Sequence, residues 1–298
     1  AVRLESLKAI SKIGSREAFS GIAESVKDSS ERIRRKAVEV LGKMPDERAI
    51  PVLGTALHDR SSAVRVAAAT ALGANRSEKT FPLLMAGLKD ESSDVRTSIV
   101  KTLGEIGNEA AVEQLLPMLK DINSEVRHET VRTLGKISAV RAVPSLLEAM
   151  DDHDLWVKTE AAKTLRSLGN KALPNLVEAL AHPLEEIQRH AVDVLSDMAS
   201  PRLYQLLIGA LKHRSKHMRS NAAEILGAVG EKRAVVPLLN LLVDRDYEVR
   251  ERVARALGRI GDISASVALK QAMKDQNRIV RNAASRALKS IMDANEIA

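Results

Sequence analysis

The stretch DRSSAVRVAAATALG spans residues 59–73 and decides the fold, because variants of it return every 31 residues. Two of these variants are DESSDVRTSIVKTLG at residues 90–104 and DRDYEVRERVARALG at residues 244–258. An apolar residue followed by a basic one marks the copies at Val2-Arg3, Ile33-Arg34, Val64-Arg65, Val95-Arg96, Val126-Arg127, Val157-Lys158, Met218-Arg219, Val249-Arg250 and Val280-Arg281. A fixed period of this length is typical of repeat proteins, in which each copy folds as one helical unit.

Each copy carries two apolar patterns with helical spacing, which predict two amphipathic helices, A and B. In one copy helix A is predicted at residues 49–58, a turn at 59–62 and helix B at 63–73. A lone hairpin cannot bury its apolar face, so neighbouring hairpins must stack on a shared core. We therefore expect an all-α solenoid, an alpha-alpha superhelix, of about nine helical hairpins over residues 1–298. A half-repeat at residues 1–11 precedes them and supplies only a B helix.

Composition narrows the class of protein further. The chain has no cysteine, which excludes disulfides and thiolate metal sites, and only 2% of its residues are aromatic. No apolar run is long enough to cross a bilayer, and the first residues lack a signal-peptide core. We expect a cytoplasmic, monomeric protein with no membrane contact. Because the chain opens inside a repeat, we also expect that it was cut from a longer protein.

The recurring proline, aspartate, valine and arginine positions resemble the HEAT-repeat family, in particular its short 31-residue repeats of the phycobilisome-lyase type. The resemblance covers essentially the whole chain. It implies that the aspartate and arginine of each copy, such as Asp59 and Arg65, form a structural ladder along the solenoid. It also implies that the B helices line the concave side. On physical grounds the aspartate can cap the start of helix B as well.

The net charge of +7 is partly ladder charge, and the remaining basic residues are distributed unevenly. Polar positions on the B helices form two predicted basic stripes. The first contains Lys101, Arg132 and Lys163, and the second contains Arg252, Arg255, Arg259 and Arg286. These residues are the predicted contacts for an acidic partner.

The single tryptophan, Trp156, stands beside Val157 where other copies carry residues such as Ala63, Asp94 and Glu125. Those equivalents predict a solvent-accessible edge. Two interpretations stay open, an interface contact and a lid over the turn between two repeats.

The copy at about residues 170–200 is the least regular. It comes one residue early, His182 replaces its aspartate and Gln188 replaces its basic residue; the next copy has His213 at the aspartate position. The loss of ladder partners predicts weaker stacking there. A hinge and simple sequence drift are both consistent with the pattern.

A metal site is the one sharp catalytic hypothesis. His128 and Glu129 resemble the His-Glu motif of deoxyhypusine hydroxylase, a HEAT-like enzyme that needs four such pairs, whereas this chain has one. The weak metal candidates are His128, Glu129 and, in the next repeat, Glu160. We therefore predict no catalytic residue, no cofactor and no metal.

The leading functional prediction is a non-catalytic scaffold that binds an elongated or acidic protein partner on its concave B-helix surface. By resemblance, a bilin lyase or isomerase subunit of the phycobilisome type, or a chaperone for it, is the alternative. Binding of a nucleic-acid backbone is a weaker alternative, because aromatic side chains that could stack on bases are nearly absent.

Overall fold

The computed structural model describes residues 5–7, 9, 16–75, 77–198 and 200–296, and these residues form helices and turns with no strand. The all-α prediction is confirmed. The half-repeat predicted at residues 1–11 lies mostly outside the described residues. The described part contains nine helical hairpins, as the period predicts, and we number their helices so that A helices are odd and B helices even.

The A helices are α1 (Arg16–Ser25), α3 (Ala49–Ala56), α5 (Phe81–Gly87), α7 (Val112–Leu115), α9 (Val143–Glu148), α11 (Leu173–Glu178), α13 (Pro201–Ala210), α15 (Val235–Leu239) and α17 (Ser266–Ala272). The B helices are α2 (Glu31–Leu41), α4 (Ser62–Asn75), α6 (Ser93–Ile106), α8 (Ser124–Lys136), α10 (Leu155–Ser167), α12 (Glu185–Ser196), α14 (Lys216–Val229), α16 (Tyr247–Ile260) and α18 (Arg278–Glu296). Short 3-10 turns flank most A helices, for example Glu109–Ala111 and Leu116–Lys120.

The hairpins belong to two compact units. The first unit contains Ala1–Ala142 and His153–Glu160, and the second contains Val143–Asp152 and Ala161–Ala298. In each unit the repeated apolar positions face inward, as shown by the fully buried side chains of Leu72, Leu103 and Leu134 in the first. Burial of each such leucine stabilises the fold by roughly 2 kcal/mol. The single solenoid over residues 1–298 stays a prediction.

A ladder of arginines and aspartates joins successive repeats. Arg96 donates from Nε and Nη2 to the two carboxylate oxygens of Asp121, at 2.7 Å each, and from Nη1 to the backbone carbonyl oxygen of Asp90, at 2.9 Å. The same three bonds recur at Arg250, whose partners are Asp275 and Asp244. A ladder arginine such as Arg96 or Arg250 therefore joins the turn of its own repeat to the turn of the next one, whereas Arg281 in the last hairpin bonds to its own turn.

This geometry refines the predicted ladder in two respects. Asp59 binds Arg34 of the preceding repeat through its carboxylate, whereas Arg65 of its own repeat reaches only its backbone carbonyl. The carboxylate also accepts the backbone N–H of Ser61, two residues on, at 2.8 Å. Because that residue lies before α4, the aspartate shapes the turn and does not cap helix B. In the copy that contains α8 a separate residue caps the helix, since the Asn123 side chain accepts the Glu125 N–H at 2.9 Å.

Four ladder carboxylates, those of Asp59, Asp121, Asp244 and Asp275, have a pKa below the usual value for aspartate. Burial alone would raise the pKa of Asp121, but the hydrogen bonds from Arg96 and from the Asn123 N–H, together with the Arg96 charge, lower that pKa below its usual value. A lowered folded-state pKa means that this carboxylate adds stability above about pH 4, and that the added stability is lost as the pH falls through the folded-state pKa.

The irregular copy keeps the hydrogen bonds of the turn without the ion pair. His182 accepts the Leu184 N–H through Nδ1 at 3.2 Å, and Gln188 donates to the His182 carbonyl oxygen at 2.7 Å. Asn221, in the next repeat, donates to the Leu180 carbonyl oxygen and to the Gln188 side chain. Neutral groups thus replace the charged pair while the backbone of the turn stays bonded. The hinge stays a prediction.

We predict that Arg96→Ala lowers the free energy of unfolding by about 3 kcal/mol at neutral pH, because it leaves the Asp121 carboxylate buried without its charged partner. The two side chains are only 11% and 8% exposed. At about pH 3 the difference from the wild type should fall to less than about half, since Asp121 is then neutralised in the variant. Urea unfolding of the wild type and the variant at the two pH values measures both differences in the free energy of unfolding.

The matched control is Arg141→Ala, which removes an exposed ion pair with Glu113 in the same unit. That change should cost about 0.5 kcal/mol or less at either pH. Equal losses of stability in the two variants would show that the ladder has no special role in stability. A loss of stability in Arg96→Ala that does not depend on pH would show that the buried Asp121 charge is not its cause.

Candidate interaction surface

The B helices of the second unit pack closely side by side. A Cβ added to Gly227 on α14 would lie 2.6 Å from the Cα of Ala256 on α16, and one added to Gly258 on α16 would lie 2.8 Å from the Cα of Ala287 on α18. These positions admit only glycine, because any side chain would push the neighbouring helix away. The outward side chains of α14, α16 and α18 therefore share one surface.

An arginine pocket of about 420 Å³ lies between α16 and α18. It is lined by Arg255, Arg259, Arg278 and Arg286, and the small residues Gly258, Ala283 and Ala287 also line it. The structure thus brings together three residues of the second predicted stripe. Sequence reasoning missed Arg278, which lies in the first turn of α18, at a position that varies among the copies and is Lys216 in one and Tyr247 in another.

The charges in this pocket are mostly unpaired. Arg255 forms an ion pair with Glu251, one turn earlier on α16. Arg259, Arg278 and Arg286 are exposed, and in the part of the chain that the structure describes no carboxylate lies within ion-pair distance of any of them. Three guanidinium groups are therefore available to an anionic group from outside.

Arg252 has a different environment from its predicted neighbours. Its guanidinium pairs with Glu224 and donates to the side-chain oxygen of Asn221 at 3.3 Å. Burial, and then the charges of Arg255 and Arg259, lower the pKa of Arg252. Its side chain therefore links α16 to α14 and is not a free contact residue.

A second cavity, the acidic pocket, has a volume of about 690 Å³ and lies along α12, α14 and α16. Six carboxylates line it, namely Glu185, Glu186, Asp193, Glu224, Glu248 and Glu251, against the two cations Arg189 and Arg252. Glu248 is paired with Lys216 at 2.9 Å. Burial raises the pKa of Glu251, against the opposing charge of Arg255.

The first predicted stripe is less coherent. Arg132 on α8 donates to Glu129 at 3.0 Å, so its charge is already engaged. Lys101 on α6 is exposed in the first unit, and Lys163 on α10 is exposed in the second. These three residues stay predicted contacts without a shared pocket.

The weak metal candidates are not brought together as ligands. Glu129 is buried and binds Arg132, while its other oxygen lies 4.0 Å from the Lys136 ammonium group. Across the described ranges, no three histidine, aspartate or glutamate side chains gather closely enough to hold a metal ion.

Trp156 lies in the first turn of α10 and is 75% exposed, which confirms the predicted accessible edge. Its backbone N–H binds the Asp154 carboxylate at 2.8 Å, so the helix start is fixed while the indole faces solvent. A binding role for this indole stays a prediction.

Among the described residues, no helix combines the length and apolar character that crossing a membrane requires.

The sequence model of a family described as HEAT repeats matches residues 1–62, 50–123, 112–196, 173–245 and 205–289. This chain belongs to the HEAT-repeat family. A search of curated proteins finds no match to this HEAT-repeat chain.

Solved structures with the same kind of fold include the karyopherin Kap121p bound to the extreme C-terminus of the protein phosphatase Cdc14p, with 16% identity and a TM-score of 0.54. The match covers 94% of this HEAT-repeat chain and 38% of the karyopherin. At this identity the likeness shows the fold alone, that of a helical solenoid.

Two further similar structures have lower TM-scores. The complex of CpcE and CpcF of phycocyanin lyase from Nostoc has 18% identity and a TM-score of 0.45, over 92% of this chain and 94% of that one. Human deoxyhypusine hydroxylase in complex with glycerol has 22% identity and a TM-score of 0.38, over 85% of this chain and 99% of that one.

We predict that Trp156→Ala shifts the midpoint of thermal unfolding by about 1 °C or less, because the indole is mostly in water. As a control on the same helix, the fully buried Leu165 should cost about 3 kcal/mol when changed to alanine. Calorimetry compares the two variants. A loss of stability in Trp156→Ala that matches the loss of stability in Leu165→Ala would identify the indole as a lid that packs over the turn.

Proposed function

We propose that the chain is a non-catalytic scaffold that binds an acidic segment of a partner protein on the B-helix surface of its second unit. The observation that carries this proposal is the arginine pocket, in which Arg259, Arg278 and Arg286 are exposed without carboxylate partners among the described residues. Like charges held together repel one another, so an acidic partner gains attraction and relieves that repulsion.

The chemistry of the pocket suits carboxylates. A guanidinium group presents a planar set of N–H donors that matches a carboxylate with two parallel hydrogen bonds, which a lysine ammonium group cannot do. Small residues beside the arginines leave room for an acidic side chain to approach between them. Since the pocket is open to solvent, its affinity should fall as salt rises.

Protein binding is consistent with the fold. HEAT-repeat proteins commonly bind protein partners, and the karyopherin of similar fold holds a terminal segment of another protein. That precedent concerns the fold and assigns no partner to this chain. A cytoplasmic location and a monomeric state belong to the same proposal.

The two alternatives have less support. A nucleic-acid backbone running along this surface would meet the acidic pocket next to the arginines, and among the described residues Tyr247 is the only tyrosine, tryptophan or phenylalanine that lines either pocket. The bilin-lyase alternative rests on the resemblance alone, with no residue of the two pockets that points to a tetrapyrrole. Catalysis forms no part of the proposal.

Residues of the first unit are proposed as secondary contacts. Trp156 offers an exposed aromatic face, and Lys101 adds a positive charge on α6. Lys163, on the α10 segment of the second unit, is a further proposed contact. Arg132 and Arg252 are weaker candidates, because internal carboxylates already engage them.

The test uses a fluorescein-labelled peptide of about sixteen glutamates and measures fluorescence anisotropy over a series of salt concentrations. The triple variant R259E/R278E/R286E should weaken binding by roughly tenfold or more, as the loss of even one good charged pair would. It should also flatten the dependence on salt.

The matched control is K212E/K270E/K274E, which makes the same change in net charge at exposed lysines on or just after A helices of the same unit. It should weaken binding by about twofold or less. Equal weakening by the two triple variants would mean that net charge alone attracts the peptide, and the proposal would fail. A DNA duplex that outcompetes the peptide would favour the nucleic-acid alternative.

A further inference from the structure

The arginine pocket and the acidic pocket are parts of one groove. Both are lined by Glu251 of α16 and Ile279 of α18, so neither is closed off from the other. We name the combined cavity the bipolar groove. It crosses the B helices in the order α12, α14, α16 and α18, all in the second unit.

The middle of the bipolar groove neutralises its own charges. Three ion pairs lie there: Arg252 with Glu224, Lys216 with Glu248, and Arg255 with Glu251. Each pair satisfies both of its members, so little net charge is left between the two ends. The exposed apolar surfaces of Tyr247 and Ile279 lie in this middle part.

The two ends of the groove carry opposite, unsatisfied charges. At the α12 end, Glu185, Glu186 and Asp193 are exposed, and no cation of the described chain lies within ion-pair distance of them. At the α18 end, Arg259, Arg278 and Arg286 are equally unpaired. The unpaired carboxylates at the α12 end are a second observation, in addition to the arginine pocket on which the proposed function rests.

We infer that the occupant of the bipolar groove is an extended segment of a partner protein that is itself bipolar. Its basic cluster lies over α12, its acidic cluster over α18, and an uncharged stretch with an apolar side chain lies over Tyr247 and Ile279. This inference rests on the proposed function and adds the charge pattern of the partner. A purely acidic segment would be repelled by Glu185, Glu186 and Asp193 if it extended past α16.

The spacing of the two clusters follows from the helix packing. Neighbouring helices pack about 8 to 10 Å apart, so three steps from α12 to α18 span roughly 25 to 30 Å. An extended chain rises about 3.3 Å per residue, which places the clusters about eight or nine residues apart.

The polar lining favours an extended segment over a helix. Asn282 is exposed on α18 and lines the arginine pocket, whereas Asn221 of the acidic pocket is buried and already bonded. The side-chain amide of Asn282 can bond to a free backbone group of an extended segment, whereas the backbone groups of a helix are already paired. A helical occupant would instead need its clusters about 17 to 20 residues apart.

The experiment selects binders from a display library of random peptides about thirty residues long, with the wild-type chain as bait near physiological salt. The expected result is enrichment of peptides with a basic and an acidic cluster separated by about seven to ten residues. Enrichment of acidic clusters alone would overturn this inference and leave the proposed function standing. Enrichment of peptides without any acidic cluster, or no enrichment at all, would overturn both this inference and the proposed function. A spacing of about 17 to 20 residues between the two clusters would overturn the extended conformation of the segment.

Two variants locate the ends of the groove. With E185K/D193K as bait, the selected peptides should lose the basic cluster and keep the acidic one. The control E178K/D293K changes the net charge equally at exposed positions outside both pockets, and it should return the bipolar pattern. Circular dichroism of each variant checks that the helices are retained. If E185K/D193K returned the wild-type pattern, Glu185 and Asp193 would not bind the basic cluster and the inference would fail.

Discussion

A ladder arginine between two repeats makes hydrogen bonds to both of them, and the stacking of the hairpins follows from this arrangement. Its Nη1 holds the turn of its own repeat, while its Nε and Nη2 hold the aspartate carboxylate of the next, as at Arg219 and Asp244. The carboxylate in turn accepts a backbone N–H of its own turn, as Asp244 does from Asp246. One buried ion pair thus holds two turns in register, so stacking can bury the apolar faces that a single hairpin would expose.

The ladder also divides the basic residues into two classes. Ladder arginines such as Arg250 are buried and bonded, so their charge is not available to a partner. The arginines that remain on the surface depend on what faces them from the neighbouring B helix. Between α14 and α16 a carboxylate faces Arg252, whereas between α16 and α18 arginines face one another. Differences between successive repeats, and not the repeat itself, therefore create the bipolar groove.

Much of the fold could be predicted from the sequence, because a 31-residue period and helical spacing are local signals. The partner of the Asp59 carboxylate could not be predicted, since the spacing in the sequence suits Arg65 of the same repeat as well as Arg34, 25 residues earlier. The candidate site was predicted only in part. Arg255, Arg259 and Arg286 were predicted, but the pairing of Arg252 with Glu224 depends on contact between repeats, and Arg278 lies in the first turn of α18, outside the predicted stripe.

NMR of the arginine Nε–H groups distinguishes the ladder arginines, whose N–H donors are bonded to carboxylates, from the free arginines of the arginine pocket. We predict that titration with a glutamate peptide shifts the Nε–H signals of Arg259, Arg278 and Arg286 in a saturable way. The signals of the ladder residues Arg219 and Arg250 should stay in place and exchange slowly with water, because their Nε–H groups donate to buried carboxylates. Equal shifts in both classes, or rapid exchange at the ladder residues, would contradict the account.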